Sequence, residues 1–303
     1  MRTSLVVLLS LFVGAAHATT DLSSAIENVR ATCGGISAEL SDLKVKAGIA
    51  TGVSAAGAVT GGVALGTGIA KAKVDAKIMW EELLKNAENN NAVLPSLNES
   101  EKAEFEKYLE EYDSSVDAKT KISKLNEKST KLGNIRTGTM AASTATNIAS
   151  AVLAGTNRVK GDLKQQIDAC LESVRVLSDI RMQARIDGSA TGEELSNAEN
   201  IVRACEEWAT VDISSINKKA KGAAITSGIG AGMGAAGTAT SAIVNSDKKD
   251  FDSDKEKKLN MASNVLAGGT AAASLTSAIL NGTQIKAIKR AAAVADECEG
   301  ALN

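Results

Sequence analysis

The sequence holds one histidine, one proline and very few aromatic residues: two tryptophans, two tyrosines and three phenylalanines in 303 residues. Each scarcity excludes something. Histidine is the commonest general base and a common metal ligand, and the only one, His17, lies in an N-terminal stretch that reads as a removable leader. Beyond that leader, Ser-His and Cys-His nucleophiles are excluded, and no GxSxG elbow offers a serine in their place. So few aromatics leave little to wall a small-molecule pocket. Neither sign of charge dominates, with 34 basic against 36 acidic residues, so nothing marks a nucleic-acid partner. No GxxxxGK[ST] phosphate cradle is present. The residues therefore point to no enzymatic activity, no cofactor and no small-molecule substrate.

What is present begins with "MRTSLVVLLSLFVGAAHA". Arg2 supplies a basic start, Leu5 to Val13 a short apolar core, and Ala16-His17-Ala18 an A-x-A cleavage site, the pattern of a secretory signal peptide over residues 1–18. The expectation is an exported chain beginning near Thr19, working in the periplasm or cell-envelope membrane, or secreted. Four cysteines remain, Cys33, Cys170, Cys205 and Cys298, an even number with no CxxC among them. In an exported chain that favours disulfides over zinc or a catalytic thiol.

Four uncharged segments rich in small residues run over 47–70, 137–157, 222–246 and 259–285. The second half of the chain echoes the first. "KLGNIRTGTMAASTATNIASAVLAGTN" (131–157) aligns without gaps on "KLNMASNVLAGGTAAASLTSAILNGTQ" (258–284). "NVRATC" ending at Cys33 matches "IVRAC" ending at Cys205, and "KVKAGIAT" matches "KAKGAAIT" a little later. Two diverged copies of a helical hairpin result, over 19–186 and 199–303. The first carries a polar tip insertion at about 86–118, and a linker at 187–198 separates the copies. In an antiparallel hairpin, residues equally far from the tip lie at one level. The midpoint of Cys205 and Cys298 falls in "DFDSD" (250–254), and that of Cys33 and Cys170 in the polar tip. The pairs expected are Cys33–Cys170 and Cys205–Cys298, each clamping one hairpin near its open end.

Helical periodicity supports an all-α chain. Ile26, Val29, Cys33, Ile36, Leu40 and Leu43 form a heptad seam, and Leu163, Ile167, Cys170, Val174 and Leu177 another. Carried forward, the first seam meets positions 47, 50, 54, 57, 61, 64 and 68, all small, while Ile49, Val53, Val59 and Val63 gather on another face. That arrangement resembles the small-xxx-small packing of membrane helices. Gly48/Gly52, Gly57/Gly61 and Gly62/Gly66 have its spacing, and Gly68 continues the seam. These seven glycines are the candidate helix-packing residues. Segment length matches the ~20 residues needed to cross a bilayer. Few Leu, Ile or Phe reduce the insertion drive, and the flanking lysines are balanced, so they set no orientation.

The function expected is a non-enzymatic, exported envelope protein with a structural or assembly role, held in a membrane and packing through glycine zippers. Membrane lipid and self-association or partner helices are its expected partners. A secreted helical protein that inserts later, like a pore former, and a soluble periplasmic coiled-coil adaptor are the alternatives. Lesser motifs carry little. Asp250, Asp252, Asp254 and Glu256 alternate like the start of a calcium loop, but Lys255 and Met261 stand where Gly and Glu are required, so no metal is expected. Asn98-Glu-Ser100 and Asn281-Gly-Thr283 fit the N-glycosylation pattern. Trp80 and Trp208 are expected to pack rather than to anchor at a membrane interface. Ser96 or Asn98 is expected to start a short helix after Pro95.

Overall fold

A computed structural model describes residues 21–90, 99–246 and 253–303. The signal sequence, Pro95 with the expected helix start beside it, and the "DFDSD" turn as far as Asp252 lie outside the described residues. The chain is all-α. Its helices are α1 (Leu22–Cys33), α2 (Ile36–Asn90), α3 (Glu99–Glu110), α4 (Ala118–Thr156), α5 (Gly161–Asp187), α6 (Gly192–Glu206), α7 (Ile213–Ser246) and α8 (Ser253–Ala301), with a 3-10 turn at Glu207–Thr210.

Local chemistry sets the ends. Asp117 caps α4 by accepting from the Thr120 amide at 3.0 Å. Gly188 closes α5 in the left-handed conformation (φ 64°). The buried seam runs on through Val29, Cys33, Ile36 and Leu40, but the helix that carries it is interrupted after Cys33. Gly35 has φ 84°, and a side chain on Gly34 would meet the Arg30 carbonyl, so the chain turns there between α1 and α2. The seam also shifts by one residue in α1, where Ala25 rather than Ile26 is buried. The linker expected at 187–198 narrows to the turn before α6. Thr191 and Glu194 form a reciprocal capping box that starts α6 at Gly192 and draws the rest of that segment into helix.

Two compact units draw on both sequence halves. Of the described residues, the first comprises 21–45, Val159–Ile216 and Lys286–Asn303. Its core is conventionally apolar, with Val29, Ile36, Leu40, Leu163, Ile167, Leu177, Ile201, Trp208 and Ile288 buried. Both disulfides lie in it. Cys33 pairs with Cys170 (Cα–Cα 4.8 Å) and Cys205 with Cys298 (4.5 Å), the pairs given by hairpin symmetry. Closing loops of 137 and 93 residues stabilises by about 4–5 kcal/mol each on the chain-entropy model. Polar ties join the same elements: Arg30 Nε donates to the Leu302 carbonyl (3.0 Å), the Ser37 amide to Glu299 (3.0 Å), and Gln166 to the Gly34 carbonyl (2.9 Å).

The second unit, Lys46–Arg158 and Asn217–Ile285, contains α3, α4 and most of α2, α7 and α8. Buried positions step by threes and fours along each long helix: 47, 50, 54, 57, 61, 64, 68 and 71 on α2, and 129, 133, 136, 140, 143, 147, 150 and 154 on α4. On α7 they run 220, 223, 227, 230, 234, 237, 241 and 244, and on α8 260, 263, 267, 270, 274, 277, 281 and 284. This is coiled-coil geometry. Contacts fix the order. Ser54 meets Ser150 and Asp75 meets Ser129, so α2 and α4 are antiparallel. Ser227 meets Ser277 and Ser241 meets Ser263, so α7 and α8 are too. Thr137 meets Asn245 and Ser150 meets Ser227, placing α4 antiparallel to α7. The result is an up-down-up-down four-helix bundle.

Candidate functional site: the polar axis of the bundle

The centre of this bundle is polar. At one level each helix contributes one serine: Ser54, Ser150, Ser227 and Ser277, all 0 % exposed. Ser150 and Ser227 oxygens are 2.9 Å apart, Ser227 donates to Ser277 at 2.7 Å, Ser277 lies 3.3 Å from Ser54, and Ser54 closes the ring on Ser150. The ring also fixes the repeat. Ser150 and Ser277 are equivalent in the gapless alignment of the closing arms. The opening arms are set two residues away from the "KVKAGIAT"/"KAKGAAIT" match, because Ser54 is level with Ser227 rather than Ile229. Composition alone aligned those stretches, whereas buried hydroxyls set their register.

Neighbouring layers follow one rule: a larger side chain fills the space over a glycine on the facing helix. Asn147 lies over Gly57 and Gly230, accepts from Ser274 at 2.9 Å, and donates to the Ser143 carbonyl. Met140 lies over Gly237 in an apolar layer with Ala64 and Ala267. Arg136 lies beside Gly68 and Asn245 over Gly133. Gly61 admits a neighbouring backbone most closely, that of Ala271, whose atoms lie 3.0–3.1 Å from where its Cβ would be.

Of the seven candidate packing glycines, the structure therefore places Gly57, Gly61 and Gly68 in the bundle interior. Gly48, Gly52, Gly62 and Gly66 are exposed, and within this chain nothing lies within 4 Å of a Cβ at those positions. The i, i+4 spacing that singled them out occurs on the outer face of α2 as well as on the seam. Spacing between glycines says nothing about which face a partner occupies.

Charges gather at the level where the uncharged segments end. Lys71, 1 % exposed, binds Asp75 at 2.5 Å and Glu256 at 3.5 Å, and Ser129 donates to Asp75. Arg136, also 1 % exposed, donates to the Asn260 side chain (3.1 Å) and carbonyl (3.0 Å), leaving its Nε without a partner. Beyond lies a second cluster that the sequence did not single out. Buried Glu81 accepts from Tyr108, and Lys121 sits 3.5 Å from Glu81 and 3.6 Å over the Tyr112 ring. Burial and the bond to Glu81 push the Tyr108 hydroxyl well above its ordinary pKa. Trp80 stacks on Phe105 at 5.1 Å and Trp208 is buried, both packing roles. At the opposite end Gln284 donates to the Asn157 carbonyl at 2.6 Å, while Gln284 Oε1 and Asn281 Oδ1 have no partner.

The outer surface is the inverse of the core. Ser54, Ser143, Ser150, Ser227, Ser241, Ser263, Ser274 and Ser277 are buried, whereas Val59, Val152, Val265 and Ile279 are 58–66 % exposed. Every threonine in the segments donates to a carbonyl three or four residues back on its own helix. Among the described residues the one close group of metal-capable side chains is Cys33, Cys205 and Cys298, whose sulfurs are disulfide-bonded. A shallow surface cleft of about 500 Å³ lies beside Asn126, Lys131 and Ile135. Asn281 of the second glycosylation sequon is fully buried. No family model matches this chain, and no curated protein or solved structure is significantly similar to it.

Proposed function

We propose that this is an exported, non-enzymatic, membrane-embedded structural or assembly protein, in which the four uncharged segments span the bilayer as an inside-out four-helix bundle. One observation carries the reading: hydroxyls and amides line the axis, while the aliphatic side chains of the same segments point outward. In water, each half-exposed Val or Ile forgoes on the order of 1 kcal/mol of burial. In hydrocarbon the same outward residues are at home, and polar groups turned inward hydrogen-bond between helices. Outward threonines that bond their own helix present no unsatisfied donor to lipid.

Levels along the bundle agree. With the serine ring as reference, the four segments overlap, ending 5–8 residues from the ring toward Asn157 and 13–19 residues from it toward Lys71 and Arg136. They span about 31–40 Å at 1.5 Å per residue, against a hydrocarbon core of about 30 Å. Hydropathy by itself marks one span, within Leu22–Asn86, at a mean of 1.4. The abundant Gly, Ser and Thr keep the other segments less hydrophobic, and their serines are turned inward. An even number of crossings puts all four cysteines on one side, where an exported chain oxidises them.

Carbonate extraction of membranes tests the reading. Retention in the pellet, with release only by detergent, is expected. Recovery as a soluble, monodisperse species without detergent would overturn constitutive spans and favour the adaptor. A soluble form that binds added liposomes and releases their contents would favour later insertion.

A further inference from the structure

We propose that the axis of the bundle is a proton wire, held shut by the apolar layer of Ala64, Met140 and Ala267; this rests on the membrane-embedded reading. The ring of Ser54, Ser150, Ser227 and Ser277 is a closed set of hydroxyls with links of 2.7–3.3 Å. Ser54 and Ser277 also reach the Ala50 and Ala223 carbonyls at 2.8 and 3.1 Å, so relay requires these hydroxyls to turn from carbonyl to ring; a proton arriving on one oxygen then releases another from the next. These contacts leave no width for a hydrated ion, which selects a proton over a metal cation or chloride.

Two buried acceptors indicate water on this axis. Asn281 donates to Ser54 at 3.3 Å, yet its Oδ1 has no partner, and Gln284 Oε1 on the next turn has none either; both residues are 0 % exposed. A buried acceptor without a protein partner is the ordinary site of an ordered water. Water there extends the hydroxyl chain from the ring toward the Asn157 end. On the other side the next polar layer is Asn147 and Ser274, bonded to each other at 2.9 Å, one helical turn from the ring, and Met140 follows it. Met140 is completely buried, fitted over Gly237, and offers only a weakly accepting sulfur to Ser241 and Ser263 at 3.9 Å. An apolar constriction in a polar path stops conduction by excluding water. Past it the buried Arg136 guanidinium, bonded to Asn260, lies on the path, and beyond it Asp75 and Glu256 beside Lys71 supply carboxylates able to accept or release the proton.

The test uses the full exported chain in phosphatidylcholine–phosphatidylglycerol vesicles loaded with a pH-sensitive dye, after flotation confirms that protein travels with lipid. Wild type and Met140→Leu should leave the vesicles tight. Met140→Ser and Met140→Thr, checked for unchanged helicity and monodispersity, should speed pH equilibration by about tenfold or more. Adding Ser277→Val to Met140→Ser should remove the gain. Floating Met140→Ser and Met140→Thr protein no leakier than wild type would overturn the wire and leave the membrane reading standing. Chloride or potassium flux rising with proton flux would overturn it in favour of an open pore. Failure of the wild type to float would overturn both.

Discussion

Alanine at Gly61 and alanine at Gly62 should move stability in opposite directions, although the two residues are adjacent. Both are mid-helix glycines, so each substitution gains about 0.5–1 kcal/mol by removing backbone freedom from the unfolded chain. At Gly62 a Cβ meets nothing within 4 Å, and that gain stands alone. At Gly61 the Cβ meets the backbone N and Cα of Ala271 at 3.0 and 3.1 Å. Backbone cannot rotate aside as a side chain can, so α2 and α8 must separate locally, and overpacking of this kind costs about 1–3 kcal/mol. The expected net is a stabilisation of about 0.5–1 kcal/mol for Gly62→Ala and a loss of up to about 2 kcal/mol for Gly61→Ala. At about 2–4 °C per kcal/mol for a chain of this size, the midpoints should separate by several degrees. Thermal unfolding followed by circular dichroism in one detergent, with disulfides intact, measures it. Equal shifts of the same sign would refute the glycine-clearance account of the core.

Three further outcomes follow from the structure. Non-reducing peptide mapping should link Cys33 to Cys170 and Cys205 to Cys298, and Cys205→Ser with Cys298→Ser should cost about 4–5 kcal/mol in denaturant unfolding; a Cys33–Cys205 peptide would contradict the hairpin symmetry. Bonds from the Thr191 amide and hydroxyl hold the Glu194 carboxyl below its ordinary pKa, so its contribution to α6 is complete above the usual carboxylate range and fades as pH falls through the lowered folded value; Glu194→Gln should flatten that part of the pH–stability profile and Glu194→Asp should not restore it fully. Asn281 should stay unmodified when the chain passes through a glycosylating secretory pathway, since its amide is buried against Ser54; intact-mass measurement showing a glycan there would place α8 outside the bundle.

Much of this architecture was legible in residue spacing. The seam through Leu40 and Leu43 predicts burial at 47, 50, 54, 57, 61, 64 and 68, and all seven positions are buried. Spacing works there because the heptad period is local to one helix. Cysteine pairing was legible because one cysteine precedes and one follows the pair of small-residue segments in each hairpin, which leaves one symmetric solution. The serine ring was not legible, since four serines on four helices become neighbours only once relative registers are known. Nor was the division into units, which cuts across both hairpins. The buried roles of Lys71, Glu81 and Arg136 were hidden for a different reason. In sequence they look like ordinary charges flanking uncharged segments, and only packing against Asp75, Tyr108 and Asn260 marks them out.

The helices, the seam each one buries, the cysteine pairs and the absence of charge over four stretches all follow from residue order, because these depend on periods and counts along one chain. Only packing decided what each glycine of α2 meets. Gly57 and Gly61 are enclosed while Gly62 and Gly66 stay outside, because facing helices supply Asn147 and Ala271 at one set of levels and nothing at the other. The same packing turned scattered serines into a hydrogen-bonded axis, since a buried hydroxyl must find a partner and the three neighbouring helices present one at the same height.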